Sequence, residues 1–447
     1  MPTITIIGAG GYVFPLTLIR DIVAFPELCD STIVMMDIDA KRLEDRGRMA
    51  QQLIDRYKLP TRIVTTIDRR MALRNAEYVV IAFQVGGLAA YQMDVEIPRR
   101  YGLDQCVGDT LGPGGVFRGL RTIPVLLDIA RDMQELCPNA LLLQYANPMA
   151  TNCWALNTTG IANVGLCHSV QNTSHMLARQ LGITDDALQF RVAGINHQAW
   201  FLELRSGNVD MYPQLREVMQ SQHGGNQTAS VSRYDTDHSQ QSGEDTVYEG
   251  GQERVRTAIL QTFGYFHTES SHHASEYVPY FRKSPDLVHT YLPERWDYYE
   301  LCAAHNMNDP MSWVMNQGLT PSHEYGAYII HSCETNTPRV IYGNVENTGL
   351  IQNLPSGCCV EVPCLVDSNG VQPITVGVIP PQCAALNHAC IHVQQLAVHG
   401  AIHGDRDAVH HAIALDPLTS AVLTLPQIHA MVAEMFRAES PWLPQFQ

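Results

Sequence analysis

The stretch T-I-T-I-I-G-A-G-G, residues 3–11, decides the fold prediction for this chain of 447 residues. It begins with a run rich in β-branched residues, continues into glycines, and is followed by an apolar segment typical of a helix. Strand, glycine turn and helix in this order predict the first unit of a dinucleotide-binding sheet. Gly8 would allow the tight turn, and Gly10 and Gly11 would let the backbone approach a pyrophosphate. Because Val13 stands in place of the usual third glycine, an ordinary strand–helix turn stays an alternative.

An acidic residue at the end of the second predicted strand, residues 31–36, strengthens the cofactor hypothesis. Asp37 lies 27 residues after Gly10, somewhat more than the usual spacing of about 20, and a longer first helix explains the difference. A carboxylate there binds ribose hydroxyls and repels a 2′-phosphate, so NAD is favoured over NADP. A further apolar strand, residues 78–83, ends at Gln84, which we expect at the cofactor edge of the sheet.

Composition and charge exclude several classes of protein. The formal net charge of −16 argues against nucleic-acid binding and favours a small neutral or polar ligand. No secretory signal is evident, and no apolar run reaches the roughly 18 residues that span a bilayer. We therefore expect a cytoplasmic protein, without a membrane partner, whose 12 cysteines are reduced.

Three loops are predicted between residues 109 and 251. Residues 109–121, D-T-L-G-P-G-G-V-F-R-G-L-R, contain five Gly or Pro residues and are predicted to form a rigid loop. Within it, Asp109 is either functional or the cap of a turn. Asn147 follows a buried strand, and its amide either faces a ligand or forms an Asx-turn. Residues 221–251 are polar and rich in glycine, which predicts a mobile loop.

Two short apolar runs end in residues that can bind a metal. Cys167 and His168 end one run, and His197 follows the next predicted strand, thirty residues after Cys167. A thiolate and an imidazole at the ends of two buried strands predict half of a metal site, which substrate hydroxyls would complete. The helix predicted to follow, residues 171–181, would lower the pKa of the Cys167 thiol. A lone Cys or His is more often a core residue, which is the plain alternative.

The order and spacing of the motifs resemble those of the NAD- and manganese-dependent glycoside hydrolases of family 4. The resemblance covers almost the whole chain, and the C-H-S-V-Q form is most similar to the bacterial α-galactosidase branch. The motifs are G-A-G-G (8–11), M-D-I-D (36–39), D-T-L-G-P-G-G (109–115), Y-A-N-P-M (145–149), G-L-C-H-S-V-Q (165–171) and G-I-N-H (194–197).

The resemblance implies an enzyme that hydrolyses small α-galactosides with NAD and Mn²⁺ or another divalent metal. In this chemistry C3 of the sugar is oxidised transiently, a base removes the C2 proton, and the C1 leaving group is eliminated. Water addition and reduction then complete the hydrolysis without net oxidation. The family is an exception to the two-carboxylate mechanism of most glycosidases.

The resemblance also implies roles for individual residues. Cys167 and His197 match the metal ligands. Because the sugar hydroxyls would complete the shell of the metal, His197 would also lie next to the substrate. His168 matches the acid that protonates the leaving group. Asn147 matches an asparagine that contacts substrate and nicotinamide, and Asp109 matches a loop aspartate near the metal.

The base that removes the C2 proton is not identified by the sequence. Members of the family carry a tyrosine or an aspartate in the segment that matches residues 268–277. Neither type falls clearly at that position here. Glu269, His273 and Tyr277 are the candidates, and a metal-bound hydroxide is a further alternative.

The expected fold is α/β, with an architecture like that of lactate and malate dehydrogenases. Residues 1–195 are predicted to form a Rossmann-type NAD-binding domain with a parallel sheet. Residues 196–447 are predicted to form an α+β domain for substrate binding and oligomerisation. We expect a homodimer or a homotetramer.

Other functions fit parts of the same pattern. The same chemistry could act on an α-galacturonide or an α-glucoside. An NAD-dependent dehydrogenase acting on a 2-hydroxy acid would accumulate NADH, which a glycosidase of this type would not. A non-enzymatic sugar- or nucleotide-binding protein would lose little on the substitution Cys167→Ser.

Overall fold

The structure is a computed structural model that describes residues 1–12, 14–224, 253–293, 296–305, 314 and 318–446. Val13, at the position of the third glycine, lies outside the described residues. The same is true of residues 225–251 of the stretch predicted as a mobile loop.

A single mixed sheet of 13 strands runs through the described part of the chain. The strands are β1 (Thr3–Ile7), β2 (Thr32–Met36), β3 (Arg62–Thr66), β4 (Tyr78–Ile81), β5 (Leu141–Gln144), β6 (Asn163–Gly165), β7 (Gln189–Ile195), β8 (Gln198–Ser206), β9 (Val209–Asp210), β10 (Phe266–His267), β11 (Arg339–Glu346), β12 (Cys359–Asp367) and β13 (Gly370–Pro373).

Helices cover both faces of this sheet. They are α1 (Phe14–Val23), α2 (Ala40–Tyr57), α3 (Arg69–Leu73), α4 (Gly87–Arg100), α5 (Gly112–Leu136), α6 (Met149–Asn157), α7 (Ser169–Leu181), α8 (Tyr212–Gly224), α9 (Arg254–Phe263), α10 (Ser271–Ala274), α11 (Pro285–Tyr291), α12 (Tyr298–His305), α13 (Tyr325–Thr335), α14 (Pro381–His403), α15 (Arg406–Leu415), α16 (Pro417–Val422) and α17 (Leu425–Ala438).

The first six strands form the parallel half of the sheet in the order β3-β2-β1-β4-β5-β6. This is the strand order of dinucleotide-binding folds, so the predicted Rossmann-type unit is confirmed. Alternate residues face two apolar clusters: Ile6 and Val80 belong to one, and Ile7 and Val79 to the other. Burial on both faces explains why these strands are continuous apolar runs in the sequence.

The remaining strands pair antiparallel, and so does β11 with β6, where they join the parallel half. The β7–β8 hairpin turns at Asn196 and His197, and the β11–β12 hairpin lies between β6 and β7. The β11–β12 hairpin meets its two neighbours at one residue pair each, Asn344 with Gly165 and Glu361 with Gly194. The strands that precede Cys167 and His197 are therefore separated by two others.

The predicted rigid loop at residues 109–121 is wrong for most of its length, because helix α5 already begins at Gly112. Pro113 lies in the first helical turn, where its missing N–H costs nothing. Glycine is required there by close packing: a Cβ on Gly114 would lie 2.3 Å from the carbonyl oxygen of Gly108.

The C-terminal segment packs against the dinucleotide-binding half. Arg121 Nη1 donates to Asp94 Oδ1 at 2.9 Å and to Glu439 Oε2 at 2.7 Å, and all three side chains are fully buried. Ring atoms of Trp442 lie so close to Gly86 that a Cβ there would be 3.2 Å from them. The loop after β4 is thus in contact with residues from the end of the chain.

A search of the described helices finds none with the length and apolar character needed to cross a bilayer.

Substitution of Arg121 by leucine is expected to cost about 3–5 kcal/mol in free energy of unfolding, because two buried carboxylates lose their shared cation. Urea unfolding followed by circular dichroism measures the loss. The control is Arg131→Leu, which removes an exposed pair with Asp128 and should change stability by less than about 0.5 kcal/mol. Equal losses in the two variants would contradict the prediction.

Candidate active site

The glycine turn after β1 places the predicted cofactor residues together. Gly10 N donates to Asp37 Oδ2 at 2.8 Å, and Gly11 N donates to Gly8 O at 3.0 Å. Gly8 has a φ of +96°, and a Cβ there would lie 2.5 Å from the carbonyl oxygen of Ala82. Only glycine fits both demands. The turn and the carboxylate lie at the carboxyl edge of the parallel strands, where this fold binds dinucleotides.

Gln84 lies at the same edge, in the loop after β4. Its side-chain amide donates to Gly87 O at 3.1 Å and so closes the loop on itself. The side chain is partly exposed. Its predicted role as a cofactor contact stays a prediction.

Asp109 and Asn147, two of the predicted site residues, contact each other. Asn147 Nδ2 donates to Asp109 Oδ2 at 3.2 Å. Arg118, which the sequence analysis did not single out, joins both: its Nη1 lies 3.4 Å from Asp109 Oδ2, and its Nε donates to Asn147 O at 3.1 Å. Asp109 does not cap α5, since Leu111 precedes the first helical residue.

Cys167, His197 and Glu269 form a candidate metal-binding cluster among the described residues. Their candidate ligand atoms all lie within 4.8 Å of one another. One thiolate, one imidazole and one carboxylate suit a first-row divalent ion, and the two anionic groups offset its charge. The first two are the predicted ligands, whereas Glu269 was predicted only as a possible base. This donor set fits a divalent metal.

Local structure explains how the cluster forms. His197 occupies the β7–β8 turn with a φ of +61°, a left-handed conformation that is unusual for a residue with a side chain. Strand β10 pairs with β8 through His267 and Trp200, which places Glu269 beside the turn. The backbone N–H of Glu269 donates to His267 Nδ1 at 3.2 Å and fixes the start of the segment at residues 268–277.

The predicted lowering of the Cys167 pKa is wrong for the protein without a metal. Burial raises the pKa of this thiol, and the nearby Glu269 carboxylate raises it further. His168 and Ser169, at the start of α7, oppose this rise without overcoming it. Because a bound cation stabilises a thiolate, binding of a divalent metal at Cys167 would release the thiol proton.

A chain of hydrogen bonds leads away from the cluster into the protein. His197 Nδ1 lies 2.9 Å from His273 Nε2, and His273 Nδ1 lies 3.2 Å from Glu276 Oε2. Burial alone would raise the pKa of Glu276, but the hydrogen bond and charge of His273, the charge of Arg282 and a backbone N–H lower it to about 2. Glu276 is therefore an anion at neutral pH.

The three candidate bases have different surroundings. Both ring nitrogens of His273 are engaged, by His197 and by Glu276. The Tyr277 hydroxyl is buried, and its pKa is raised well above the usual value, first by burial and then by anionic neighbours that include Glu269. Glu269 Oε1 accepts from Ser270 N at 2.8 Å, while Oε2 lies 3.7 Å from His197 Nε2.

His168 lies beside the cluster and is paired with a carboxylate. Its Nδ1 is 2.7 Å from Oε1 of Glu324, a nearly buried residue that precedes α13. The imidazole ring also packs near the rings of Phe14 and Tyr145, with centroids 6.5 and 6.4 Å away. Phe14 is the first residue of α1, so His168, which follows Cys167 in the chain, lies near the start of the helix that follows the glycine turn.

Sequence reasoning missed several carboxyl groups of the site. Glu324 carried no signal, since it lies in a segment without a recognisable motif. Glu361 did carry one, because it is an acidic residue in the apolar strand β12. Burial raises the pKa of Glu361 well above its usual value, and the charges of Cys167 and Glu269 add to this effect.

Comparison with known proteins identifies the family of this chain. The sequence pattern of the family 4 glycosyl hydrolases matches residues 3–183, and that of their C-terminal domain matches residues 192–419. The chain belongs to family 4 of the glycosyl hydrolases. This confirms the resemblance found in the motifs.

Two α-galactosidases are among the relatives of this family 4 chain. The α-galactosidase of Bacillus subtilis is 40% identical over 458 residues, covering 100% of both chains. The α-galactosidase of Rhizobium meliloti is 35% identical and covers 99% of this chain and 89% of that protein.

Solved structures share the fold. A 6-phospho-α-glucosidase from gut microorganisms, solved in complex with NAD and Mn²⁺, has a TM-score of 0.81 at 19% identity and 100% coverage of both chains. Malate dehydrogenase from Plasmodium falciparum has a TM-score of 0.51 at 11% identity, covering 92% of this chain and 100% of that one. The predicted dehydrogenase-like α/β architecture is thereby confirmed.

Substitution of Gly10 by alanine is expected to weaken NAD binding about 10- to 100-fold. A Cβ at Gly10 would lie 2.8 Å from the Asp37 carboxylate and would displace it, together with its charge-assisted hydrogen bond. Isothermal titration calorimetry measures the dissociation constant. The control is Gly160→Ala, which introduces a side chain at a φ of +77° in open space and should cost stability without changing NAD affinity. Unchanged affinity in Gly10→Ala would contradict the prediction.

Proposed function

We propose that this chain is an α-galactosidase that needs NAD and a divalent metal, and that it hydrolyses small α-galactosides through transient oxidation at C3. The observation that carries the proposal is the cluster of Cys167, His197 and Glu269 at the same sheet edge as the glycine turn. It occurs in a family 4 chain that is 40% identical to an α-galactosidase along its full length. The relative solved with NAD and Mn²⁺ supports the two cofactors.

The dinucleotide would be held by the glycine turn and by Asp37, which would accept hydrogen bonds from ribose hydroxyls. NAD, when bound, supplies the hydride acceptor and donor. Gln84 and Asn147 are proposed to contact it from the neighbouring strand ends. We propose that residues 1–195 bind the cofactor and that residues 196–447 form an α+β domain for substrate binding and oligomerisation.

The metal would be held by Cys167 and His197, with Glu269 as a third candidate ligand. When bound, Mn²⁺ or another divalent ion supplies Lewis-acid stabilisation of negative charge on substrate oxygens. We propose that the Asp109–Arg118–Asn147 group belongs to the same site, where its charged and amide groups can orient the hydroxyls of a neutral sugar.

His168 is proposed to protonate the leaving group. Its Nδ1 lies 2.7 Å from the Glu324 carboxylate, so an imidazolium at this position would donate to the leaving group from Nε2. As the base for the C2 proton we favour Glu269 over the other candidates. The lone pair of His273 is engaged by His197, and a neutral Tyr277 hydroxyl with a raised pKa is a weak proton acceptor.

Two broader properties belong to the same proposal. All 12 cysteines lie among the described residues and are free thiols, which supports a location in the reducing cytoplasm.

We also propose a homodimer or homotetramer. Large apolar side chains that are exposed near the C-terminus, including Leu415 and Leu425, support this proposal. Sedimentation velocity measures the number of subunits.

Protein freed of both cofactors is expected to be inactive toward 4-nitrophenyl α-galactoside and to regain activity only when NAD and Mn²⁺ are added together. Hydrolysis in D₂O should place deuterium at C2 of the released galactose, because a base removes the C2 proton. Mass spectrometry of the product measures this. Cys167→Ser is expected to abolish activity.

The other functions give different results in the same assay. Steady accumulation of NADH would indicate a dehydrogenase. Faster cleavage of an α-glucoside or an α-galacturonide than of an α-galactoside would show that the enzyme prefers that other sugar. Full activity without metal and NAD, or no deuterium at C2, would contradict the proposed chemistry.

When the acid at His168 is removed, the decrease in kcat is expected to depend on the leaving group. His168→Asn should lower kcat about 10²- to 10⁴-fold with melibiose, whose leaving sugar needs a proton. The loss should be much smaller with 4-nitrophenyl α-galactoside, because nitrophenolate leaves without one. Glu324→Gln should show the same pattern more weakly.

His175→Asn serves as the control for this substitution, since His175 is also a paired histidine, with Asp185, but lies at a more exposed position on α7. It should leave both rates unchanged. An equal loss with the two substrates in His168→Asn would argue against an acid role.

A further inference from the structure

The carboxylate of Glu276 connects two parts of the site that are far apart in the chain. Its Oε1 accepts hydrogen bonds from the backbone N–H groups of Cys106 at 2.6 Å and Val107 at 2.8 Å. Its Oε2 accepts from the N–H of Gly108 at 3.2 Å and lies 3.2 Å from Nδ1 of His273. The side chain is completely buried, so these partners replace water.

On one side, Glu276 determines which nitrogen of each imidazole carries a hydrogen. An ionised carboxylate only accepts, so His273 Nδ1 must donate, and neutral His273 keeps a lone pair at Nε2. That lone pair accepts from the Nδ1–H of His197, which lies 2.9 Å away. His197 Nε2, which faces Glu269, is then left with its own lone pair. This is the tautomer in which an imidazole binds a metal through Nε2.

On the other side, Glu276 fixes the loop that precedes α5. Three consecutive N–H groups, from Cys106 to Gly108, point at one carboxylate, and Asp109 is the next residue. Asp109 in turn contacts Asn147. A single buried anion thus orders both a candidate metal ligand and the loop that carries Asp109.

We propose that Glu276 is a positioning residue that sets the tautomer of His197 through His273 and, at the same time, fixes the Asp109 loop. Metal affinity and loop order therefore depend on the same carboxylate. The inference rests on the proposed function, since it requires that Cys167 and His197 bind a divalent metal.

The substitution Glu276→Gln removes one acceptor without changing the size of the side chain. Each carboxylate oxygen accepts at least two hydrogen bonds, so either orientation of the amide turns its NH₂ group toward N–H donors. No rotation of the glutamine satisfies both the loop and His273. The substitution His273→Phe, in contrast, breaks the connection to His197 and leaves the bonds between Glu276 and the loop intact.

The test measures Mn²⁺ binding to the full-length protein by electron paramagnetic resonance of the free ion, without any activity assay. The dissociation constant is expected to rise about 10- to 100-fold in Glu276→Gln and in His273→Phe. Hydrogen–deuterium exchange of residues 106–108 should accelerate in Glu276→Gln and stay as in the wild type in His273→Phe. This difference separates positioning from a general loss of structure.

Asp132→Asn is the matched control. Asp132 is a largely buried carboxylate that accepts from Arg69 and pairs with Arg70, with no connection to the imidazole chain. Its substitution should lower the melting temperature and leave the Mn²⁺ dissociation constant within about twofold of the wild type, consistent with an effect on stability alone.

The outcomes separate the inference from the proposed function. Failure of the wild-type protein to bind Mn²⁺ would contradict the proposed function, and the inference with it. Normal wild-type binding together with unchanged affinity in Glu276→Gln would overturn the inference alone. If Glu276→Gln does not fold, His273→Phe decides: wild-type affinity in that variant would overturn the inference.

Discussion

The site depends on the β11–β12 hairpin, which separates the two strands that lead to Cys167 and His197. Strands β6 and β7 have β11 and β12 between them, which in a flat sheet would put them about 14 Å apart. The candidate ligand atoms of Cys167 and His197 nevertheless lie within 4.8 Å. The chain beyond each strand end, and the side chains themselves, must close that gap. The hairpin comes from the second half of the chain, so the cluster forms only when both halves share one sheet.

The same hairpin places polar side chains inside the sheet, where apolar ones are the rule. Asn344 and Glu361, at its two points of contact with β6 and β7, are completely buried. Asn344 Nδ2 donates to Gly165 O at 3.3 Å. Burial raises the pKa of Glu361 well above its usual value, which favours the uncharged carboxyl and so limits the negative charge beside Cys167 and Glu269. An ionised Glu361 would add a third anion to the cluster and oppose formation of the thiolate.

The sequence predicts what is local and fails where distant segments meet. The glycine turn, Asp37 and the Cys167–His197 pair were found because short motifs follow recognisable strands. Gly112 to Arg121 were predicted as a loop because their Gly and Pro content was interpreted without the packing of Gly108 against α5. Glu324 reaches His168 across a long separation in sequence, and only the folded chain reveals that pair.

The contact between the C-terminal segment and the cofactor half has a consequence for synthesis of the protein. Arg121 lies on α5, yet one of its two carboxylate partners, Glu439, is translated 318 residues later. Until that later segment has been made, the helix that carries Arg121 lacks this partner, and Gly86 lacks the neighbouring ring of Trp442. The contacts of the loop after β4 are therefore completed long after the glycine turn at residues 8–11 has been synthesised.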